Sequence, residues 1–110
     1  LKLRHQAMFK RFKIMSEKAL EKWSRDTAKA AGMLSYKFSS PAQRGVPDCI
    51  FLYKGAIRFV EFKNPNGTGV VSPLQKKKIS EIEAQGFGVA VIDNKSDMLH
   101  VVNSMKEKGY

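Results

Sequence analysis

Two short apolar segments, residues 48–53 and 57–63, constrain the fold of this 110-residue chain more than any other feature. Both segments are rich in β-branched and aromatic residues, and the Lys54-Gly55 pair between them is typical of a tight β-hairpin. If Tyr53 pairs with Ala56, the same register places Asp48 directly opposite Glu61, with Cβ atoms about 5 Å apart. The sequence therefore predicts two carboxylates that face each other in an apolar sheet.

Such a carboxylate pair needs a compensating charge. In an apolar sheet, one of the two groups must take up a proton unless a cation lies between them. Mg²⁺ prefers oxygen ligands from one or two carboxylates, water and substrate phosphate, which fits this pair better than the larger ligand set of Ca²⁺. Lys63 follows Glu61 by two positions, so strand periodicity returns it to the same face. There it can orient water or stabilise a phosphoryl group, or it can form only a structural ion pair with Glu61.

The charge of the whole chain also favours a phosphate-bearing partner. Twenty Lys and Arg against ten Asp and Glu give a formal net charge of +10, although a solvated basic surface has the same composition. Cys49 is the single cysteine, which excludes an internal disulfide and a cysteine-rich zinc site and makes a reducing compartment the default. No apolar run approaches the roughly 20 residues that span a bilayer, so we expect no membrane association.

The remaining patterns predict the order α-β-β-β-α-β-α in one domain, residues 1–110. We predict helices at 16–31, 72–85 and 96–108 and further strands at 34–38 and 88–93, with glycines ending the helices. Residues 39–47 form a turn-rich connection with Arg44 at its exposed tip. Both faces of the hairpin are apolar, so we expect helices to cover both sides of the sheet.

We divide the domain into a basic N-terminal segment (1–15), a core (16–93) and a C-terminal helix (94–110). The basic segment contains no acidic residue, a composition shared by DNA-contacting helices, membrane-surface helices and transit peptides. We favour a DNA-contacting helix.

Three motifs together resemble a known family. The sequence GVPD at 45–48 is followed after twelve residues by EFK at 61–63, and then by SPLQ at 72–75 at the head of a predicted helix. This pattern resembles the VRR-Nuc family, a branch of the PD-(D/E)XK nuclease superfamily, from about residue 16 to residue 93. The resemblance implies a three-layer α/β restriction-endonuclease-like core, a mixed β-sheet flanked by helices, and Mg²⁺- or Mn²⁺-dependent hydrolysis of phosphodiester bonds in DNA.

The resemblance also implies roles for individual residues. Lys63 would be the catalytic lysine, and Gln75 would lie at the metal site. The implied metal ligands are Asp48, Glu61, Glu21 and the backbone carbonyl of Phe62.

Two of these residues have an alternative interpretation. Glu21 is also spaced for an ordinary (i, i+4) pair with Arg25. Ser72 and Gln75 also form an S-x-x-Q capping box, and this role is compatible with a place at the site because helix N-termini attract phosphate.

Basic residues near the motifs are candidate DNA contacts: Lys37, Arg44, Lys76, Lys77 and Lys78. Three successive lysines cannot share one helical face, so we expect one or two of them to contact the phosphate backbone. Many relatives carry an arginine directly after Pro-Asp, whereas this chain has Cys49, which alternation places on the sheet face opposite Asp48.

The stand-alone members of the family imply a more specific expectation for function. They resemble junction-resolving enzymes, which implies an endonuclease selective for branched or junction DNA. We also expect a two-fold homodimer, which would present two sites to two strands, in the cytoplasm of a bacterium or a phage-infected host. The alternative is a catalytically weak or inactive DNA-binding module of the same fold. An RNA-binding protein is disfavoured because the sequence shows no interleaved aromatic platform for unpaired bases.

Overall fold

The computed structural model describes residues 15–39 and 44–108. The predicted segment 1–15 lies outside the described residues except for Met15. The described elements, in chain order, are α1 (Glu17–Ala30), β1 (Leu34–Lys37), β2 (Cys49–Tyr53), β3 (Ala56–Phe62), α2 (Pro73–Ala84), β4 (Gly88–Ile92) and α3 (Lys95–Lys108). Each boundary lies within one residue of the predicted boundary.

The four described strands form one mixed sheet in the order β1-β2-β3-β4. The two pairs β1/β2 and β2/β3 are antiparallel, and β3/β4 is parallel. Tyr53 pairs with Ala56 and Cys49 pairs with Val60, which confirms the predicted hairpin register. Lys54 and Gly55 both have positive φ, 44° and 88°, as a two-residue turn that matches the strand twist requires.

Helix α1 follows from local sequence signals. The Ser16 hydroxyl accepts a hydrogen bond from the Ala19 amide at the N-terminus, and Leu20, Ser24 and Ala28 form a buried stripe at helical spacing. At the C-terminus the Met33 amide donates to the Ala28 carbonyl across Gly32, which has φ +87°. Helix α1 packs against the sheet through this stripe.

The core lies between one sheet face and the helices α1 and α3. The sheet residues that face these helices alternate with residues that point the other way, as strand geometry requires. The buried apolar side chains of this core include Leu20, Ala28, Cys49, Phe51, Val60, Phe62, Ile92, Met98, Val101, Val102 and Met105.

The opposite sheet face is covered less than we expected. Helix α2 packs against β4 but has no buried residue. Its sequence carries three successive lysines and only a few apolar residues, so it offers no continuous apolar stripe, and Leu74 stays exposed. Within the part of the chain that the structure describes, several large apolar side chains of this sheet face are therefore exposed. No described helix is long and apolar enough to cross a membrane.

Candidate active site

Asp48 is positioned by the start of the hairpin. It stands one step before Cys49, which pairs with Val60, so the register brings Asp48 opposite Glu61. The Asp48 Oδ2 atom accepts a hydrogen bond of 2.8 Å from the Phe62 amide. The side chain thus extends the hydrogen bonding between the two strands beyond the last backbone pair. It is held in place before any ligand binds.

Glu61 is a buried carboxyl at the centre of the site, with 5% of its surface exposed. Its Oε2 atom lies 3.3 Å from Lys63 Nζ and accepts a hydrogen bond of 2.8 Å from Gln75 Nε2. Burial and the charge of Asp48 raise the pKa of Glu61 to about 7, because together they outweigh the opposing effect of Lys63. The facing carboxylates therefore disfavour full ionisation of Glu61 at neutral pH.

Gln75 connects the helix α2 to both charged groups of β3. Its side-chain Oε1 atom accepts hydrogen bonds of 2.9 Å from Lys63 Nζ and from the backbone amide of Ser72. The backbone amide of Gln75 donates in turn to Ser72 Oγ. The capping box is therefore present, and the same side chain contacts Glu61 and Lys63. The capping role is confirmed, and the same side chain lies beside Glu61 and Lys63, whereas the place of Gln75 at a metal site stays a prediction.

Glu21 lies apart from this pair. It forms an ion pair of 3.1 Å with Lys37, while Arg25 donates a 3.0 Å hydrogen bond to Ser35 Oγ, so the alternative pairing of Glu21 with Arg25 is wrong. The reason is that the adjacent strand β1 offers both side chains closer partners. Lys37 pairs with Cys49 and so lies on the sheet face opposite Asp48.

No group of three or more His, Cys, Asp or Glu side chains among residues 15–39 and 44–108 is placed to hold a metal ion. Glu21 is therefore not brought together with Asp48 and Glu61, and its role as a ligand stays a prediction. The role of the Phe62 carbonyl as a metal ligand also stays a prediction. The contact of Phe62 with Asp48 is made by its backbone amide.

Cys49 lies fully buried on the far side of the sheet from Asp48, as the alternation predicted. Burial raises the pKa of its thiol to about 12. The thiol is protonated at neutral pH and is separated from the carboxylates by the sheet.

The predicted DNA contacts differ in their surroundings. Arg44, Lys76 and Lys77 are exposed, whereas Lys78 lies 3.6 Å from Glu81 on the next turn of α2. The exposed lysines follow Gln75 directly, which places two exposed cations on the helix turn next to the site. Lys37 is held by Glu21, and this hydrogen bond raises the pKa of Lys37.

A basic groove that the sequence analysis missed lies between α1 and β1. This open groove has a volume of about 630 Å³ and is lined by five basic residues, Lys18, Lys22, Arg25, Lys29 and Lys37, against the two acidic residues Glu21 and Asp26. The four cations of α1 recur at spacings of four, three and four residues, which places them on one helical face. That spacing was the signal that could have revealed the groove.

The chain is thus a mixed α/β domain with two facing carboxylates and a lysine at one end of its central hairpin. The family model of the VRR-NUC domain matches residues 5–95. A protein of Acyrthosiphon pisum secondary endosymbiont phage 1, named "Putative nuclease p44", is 35% identical over 94 residues, which are 83% of this chain and 99% of that protein.

A solved structure described as a VRR_NUC domain is similar in fold. Its TM-score is 0.66 at 25% sequence identity, and the match covers 86% of this chain and 97% of the other. The chain belongs to the VRR-NUC domain family and is a nuclease-family domain.

Proposed function

We propose that this chain is a DNA endonuclease that hydrolyses phosphodiester bonds with the help of Mg²⁺ or Mn²⁺. The observation that carries the proposal is the buried Glu61 facing the partly buried Asp48, with Lys63 on the same sheet face. A structural ion pair would require only one carboxylate beside the lysine. Burial and the charge of the second carboxylate raise the pKa of Glu61, and a divalent cation between the two groups would remove the repulsion between them.

The donor atoms fit a hard cation. Asp48 and Glu61 supply carboxylate oxygens, and water and phosphate oxygens can complete the six ligands that Mg²⁺ prefers. When bound, such an ion would neutralise phosphate charge and lower the pKa of a water molecule. Glu21 and the Phe62 carbonyl remain proposed further ligands, and the contact of Glu21 with Lys37 would have to open for Glu21 to take part.

Lys63 and Gln75 supply the groups that act beside the carboxylates. The Lys63 ammonium is held between Glu61 and Gln75, so it is oriented before substrate binds. It would donate a hydrogen bond to the attacking water or to a phosphoryl oxygen as negative charge develops there. Gln75 would hold Lys63 and Glu61 in fixed positions relative to each other, because its Oε1 atom contacts Lys63 and its Nε2 atom contacts Glu61.

The proposed DNA surface consists of the exposed cations near the site and the basic groove. Arg44, Lys76 and Lys77 would contact the strand that carries the scissile phosphate. The groove would hold a neighbouring stretch of backbone, where its lysines add affinity without reading sequence.

We further propose branched or junction DNA as the substrate and a two-fold homodimer as the active form. A two-fold dimer presents two equal sites to two strands, which suits such a substrate. The phage relative supports a bacterial or phage-infected host cytoplasm as the setting, and the single buried cysteine is compatible with a reducing compartment.

A cleavage panel tests the proposal. Flaps, four-way junctions, single strands and supercoiled plasmid are incubated with Mg²⁺, Mn²⁺ or EDTA, using the parent chain, Lys63→Ala, and Lys106→Ala as a control at an exposed position on α3. We expect cleavage of junctions or flaps only with a divalent ion, loss of cleavage in Lys63→Ala, and unchanged cleavage in Lys106→Ala. Cleavage in EDTA contradicts the metal dependence. Tight binding without cleavage under any condition identifies the DNA-binding module instead.

The oligomeric state is measured separately by sedimentation. We expect a species of twice the 12.4 kDa chain mass. A monomer at all concentrations contradicts the homodimer and leaves the cleavage result unaffected.

A further inference from the structure

Three phenylalanines from three different strands or strand ends form a row on the thinly covered sheet face. The Phe38 and Phe59 ring centroids lie 6.1 Å apart with an angle of 18° between the planes, and Phe59 meets Phe87 edge to face at 6.3 Å. Phe38 and Phe87 are 40% and 41% exposed, although large aromatic side chains are usually placed in cores. We call these three residues the phenylalanine row.

The row begins beside the carboxylate pair. The Phe38 amide donates a 2.8 Å hydrogen bond to the Asp48 carbonyl, so the two residues are neighbours across β1 and β2, and both point to the same sheet face. Phe59 precedes Glu61 by two positions on β3, about 7 Å away on that face. The row then crosses the sheet to Phe87 at the start of β4. A DNA strand that extends from the two carboxylates towards Phe87 would therefore pass over these aromatic rings.

We infer that the phenylalanine row is a stacking platform for an unpaired nucleobase next to the phosphate at Asp48 and Glu61. The inference rests on the proposed function and narrows its substrate class. Aromatic side chains stack on bases of any sequence, but the bases of a continuous duplex are already stacked on one another. The platform therefore selects DNA with at least one unpaired nucleotide beside the cut, as in flaps and open junctions.

Charge and position favour a nucleic acid over a second copy of the chain on this face. The chain carries a net charge of +10, which attracts a polyanion. A protein seated over Phe38 would also lie over Asp48, its neighbour, and close the site. The homodimer proposed above would therefore use another face.

The test measures binding of the full chain in EDTA, so that no cleavage occurs. The probes are a duplex with one unpaired 5-iododeoxyuridine at a flap and a continuous duplex with the same base paired. Phe38→Leu keeps apolar area and removes the ring, Phe38→Trp keeps a ring, and Phe87→Leu repeats the test at the other end of the row. Leu99→Ala is the matched control, because Leu99 is 42% exposed on α3, outside the row.

We expect the parent and Phe38→Trp to bind the flap more tightly than the duplex and to form a photocrosslink between the unpaired base and the row. Phe38→Leu and Phe87→Leu lose affinity for the flap by about tenfold, at the low end of the range for one stacked base, and lose the crosslink. Their affinity for continuous duplex is unchanged, and Leu99→Ala behaves as the parent. Thermal melts show that the leucine variants are folded.

Two results overturn the inference. One is equal flap binding by Phe38→Leu and the parent, because apolar area rather than a ring would then suffice. The other is self-association in sedimentation that Phe38→Ala abolishes and Phe38→Leu preserves, because the row would then join two copies of the chain. Absence of cleavage in the panel above would refute the proposed nuclease activity but would leave this binding result standing, so the two failures are distinguishable.

Discussion

Glu61 affects both the stability of the fold and the proposed chemistry. It is buried beside Asp48, and its partners Lys63 and Gln75 both lie within hydrogen-bonding or ion-pair distance. A buried carboxyl is costly to charge even beside an ammonium group, so the burial of Glu61 next to Asp48 supports the cation site proposed above.

The raised pKa of Glu61 should be visible in the pH dependence of the free energy of unfolding. The pKa of Glu61 rises from 4.5 in a model peptide to about 7 in the fold, so between these values the folded state holds a proton that the unfolded chain has lost. The free energy of unfolding in EDTA should therefore fall as pH rises through this window, by a total on the order of 3 kcal/mol, and level off above it. Urea unfolding at pH 5 and pH 8 measures this change.

Glu61→Gln provides the comparison for that experiment. The variant has no carboxyl at this position, so its stability should change less between pH 5 and pH 8 than that of the parent. Identical pH profiles for the two proteins would show that Glu61 ionises normally and that the site is not under charge repulsion.

At the scale of elements, the hairpin could be predicted from sequence because its turn fixes its register locally. Lys54 and Gly55 set the turn, and the positions of Asp48, Glu61 and Lys63 follow by counting along the strands. The ion pair of Glu21 with Lys37 could not be predicted in this way, because it depends on where α1 docks against β1. The phenylalanine row was missed for the same reason, since its rings come from distant parts of the chain.

Helix α2 gives a test of the role of Gln75. In Gln75→Glu, a carboxylate can still accept from the Ser72 amide and from Lys63, but the donor to Glu61 is lost and a third negative charge enters the site. We expect a folded protein whose kcat is lower by about 10²-fold, as for the loss of one oriented donor.

Ser72→Ala separates this effect from helix capping. It removes the hydroxyl that accepts from the Gln75 amide and should lower stability by about 1 kcal/mol, while the side-chain contacts of Gln75 are kept. Steady-state kinetics and urea unfolding of both variants measure the loss of kcat and the loss of stability separately. If Ser72→Ala lost activity as severely as Gln75→Glu, helix position rather than the contact with Glu61 would be responsible.

The loop before Asp48 packs closely on α2. Gly45 has φ +82°, and a Cβ atom there would lie 2.8 Å from Leu74 Cγ and 3.0 Å from its carbonyl oxygen. Gly67 has a similar φ of +79° with nothing within 4 Å of the same added atom. Gly45→Ala should therefore destabilise the fold clearly more than Gly67→Ala, which carries the backbone strain of about 1 kcal/mol alone. Equal losses in urea unfolding would show that the loop does not rest on α2.

At the scale of the whole molecule, the described basic residues near the hairpin come from several elements, whereas half of the net charge of +10 belongs to the segment 1–15, which carries five Lys and Arg and no acidic residue. The groove between α1 and β1 and the lysines of α2 lie on different elements, yet both flank the hairpin that carries the carboxylates. Composition alone predicted a phosphate-bearing partner, but it could not place the cations, because their arrangement depends on tertiary packing. The sparse cover of one sheet face by the described residues was likewise unpredictable from the apolar hairpin, since it results from the polar surface of α2.

DNA binding should therefore depend strongly on salt. For about six phosphate contacts, affinity falls roughly a thousandfold between 50 and 200 mM salt. The double variant Lys18→Gln/Lys29→Gln removes two cations of the groove and should reduce the slope of log K against log salt by about two. Lys54→Gln/Lys106→Gln, at exposed positions outside the groove, is the control. An unchanged slope in the groove variant would exclude the groove from the DNA interface.

Thermal melting of Asp48→Asn with EDTA and with Mg²⁺ distinguishes a cation site formed by Asp48 and Glu61 from a structural ion pair. The asparagine oxygen can still accept from the Phe62 amide, and one of two facing charges is removed. We predict that the metal-free variant melts at or above the parent, and that Mg²⁺ raises the Tm of the parent but not of the variant. A metal-free variant destabilised by about 3 to 5 kcal/mol, as when a buried ion pair is broken, would contradict the account.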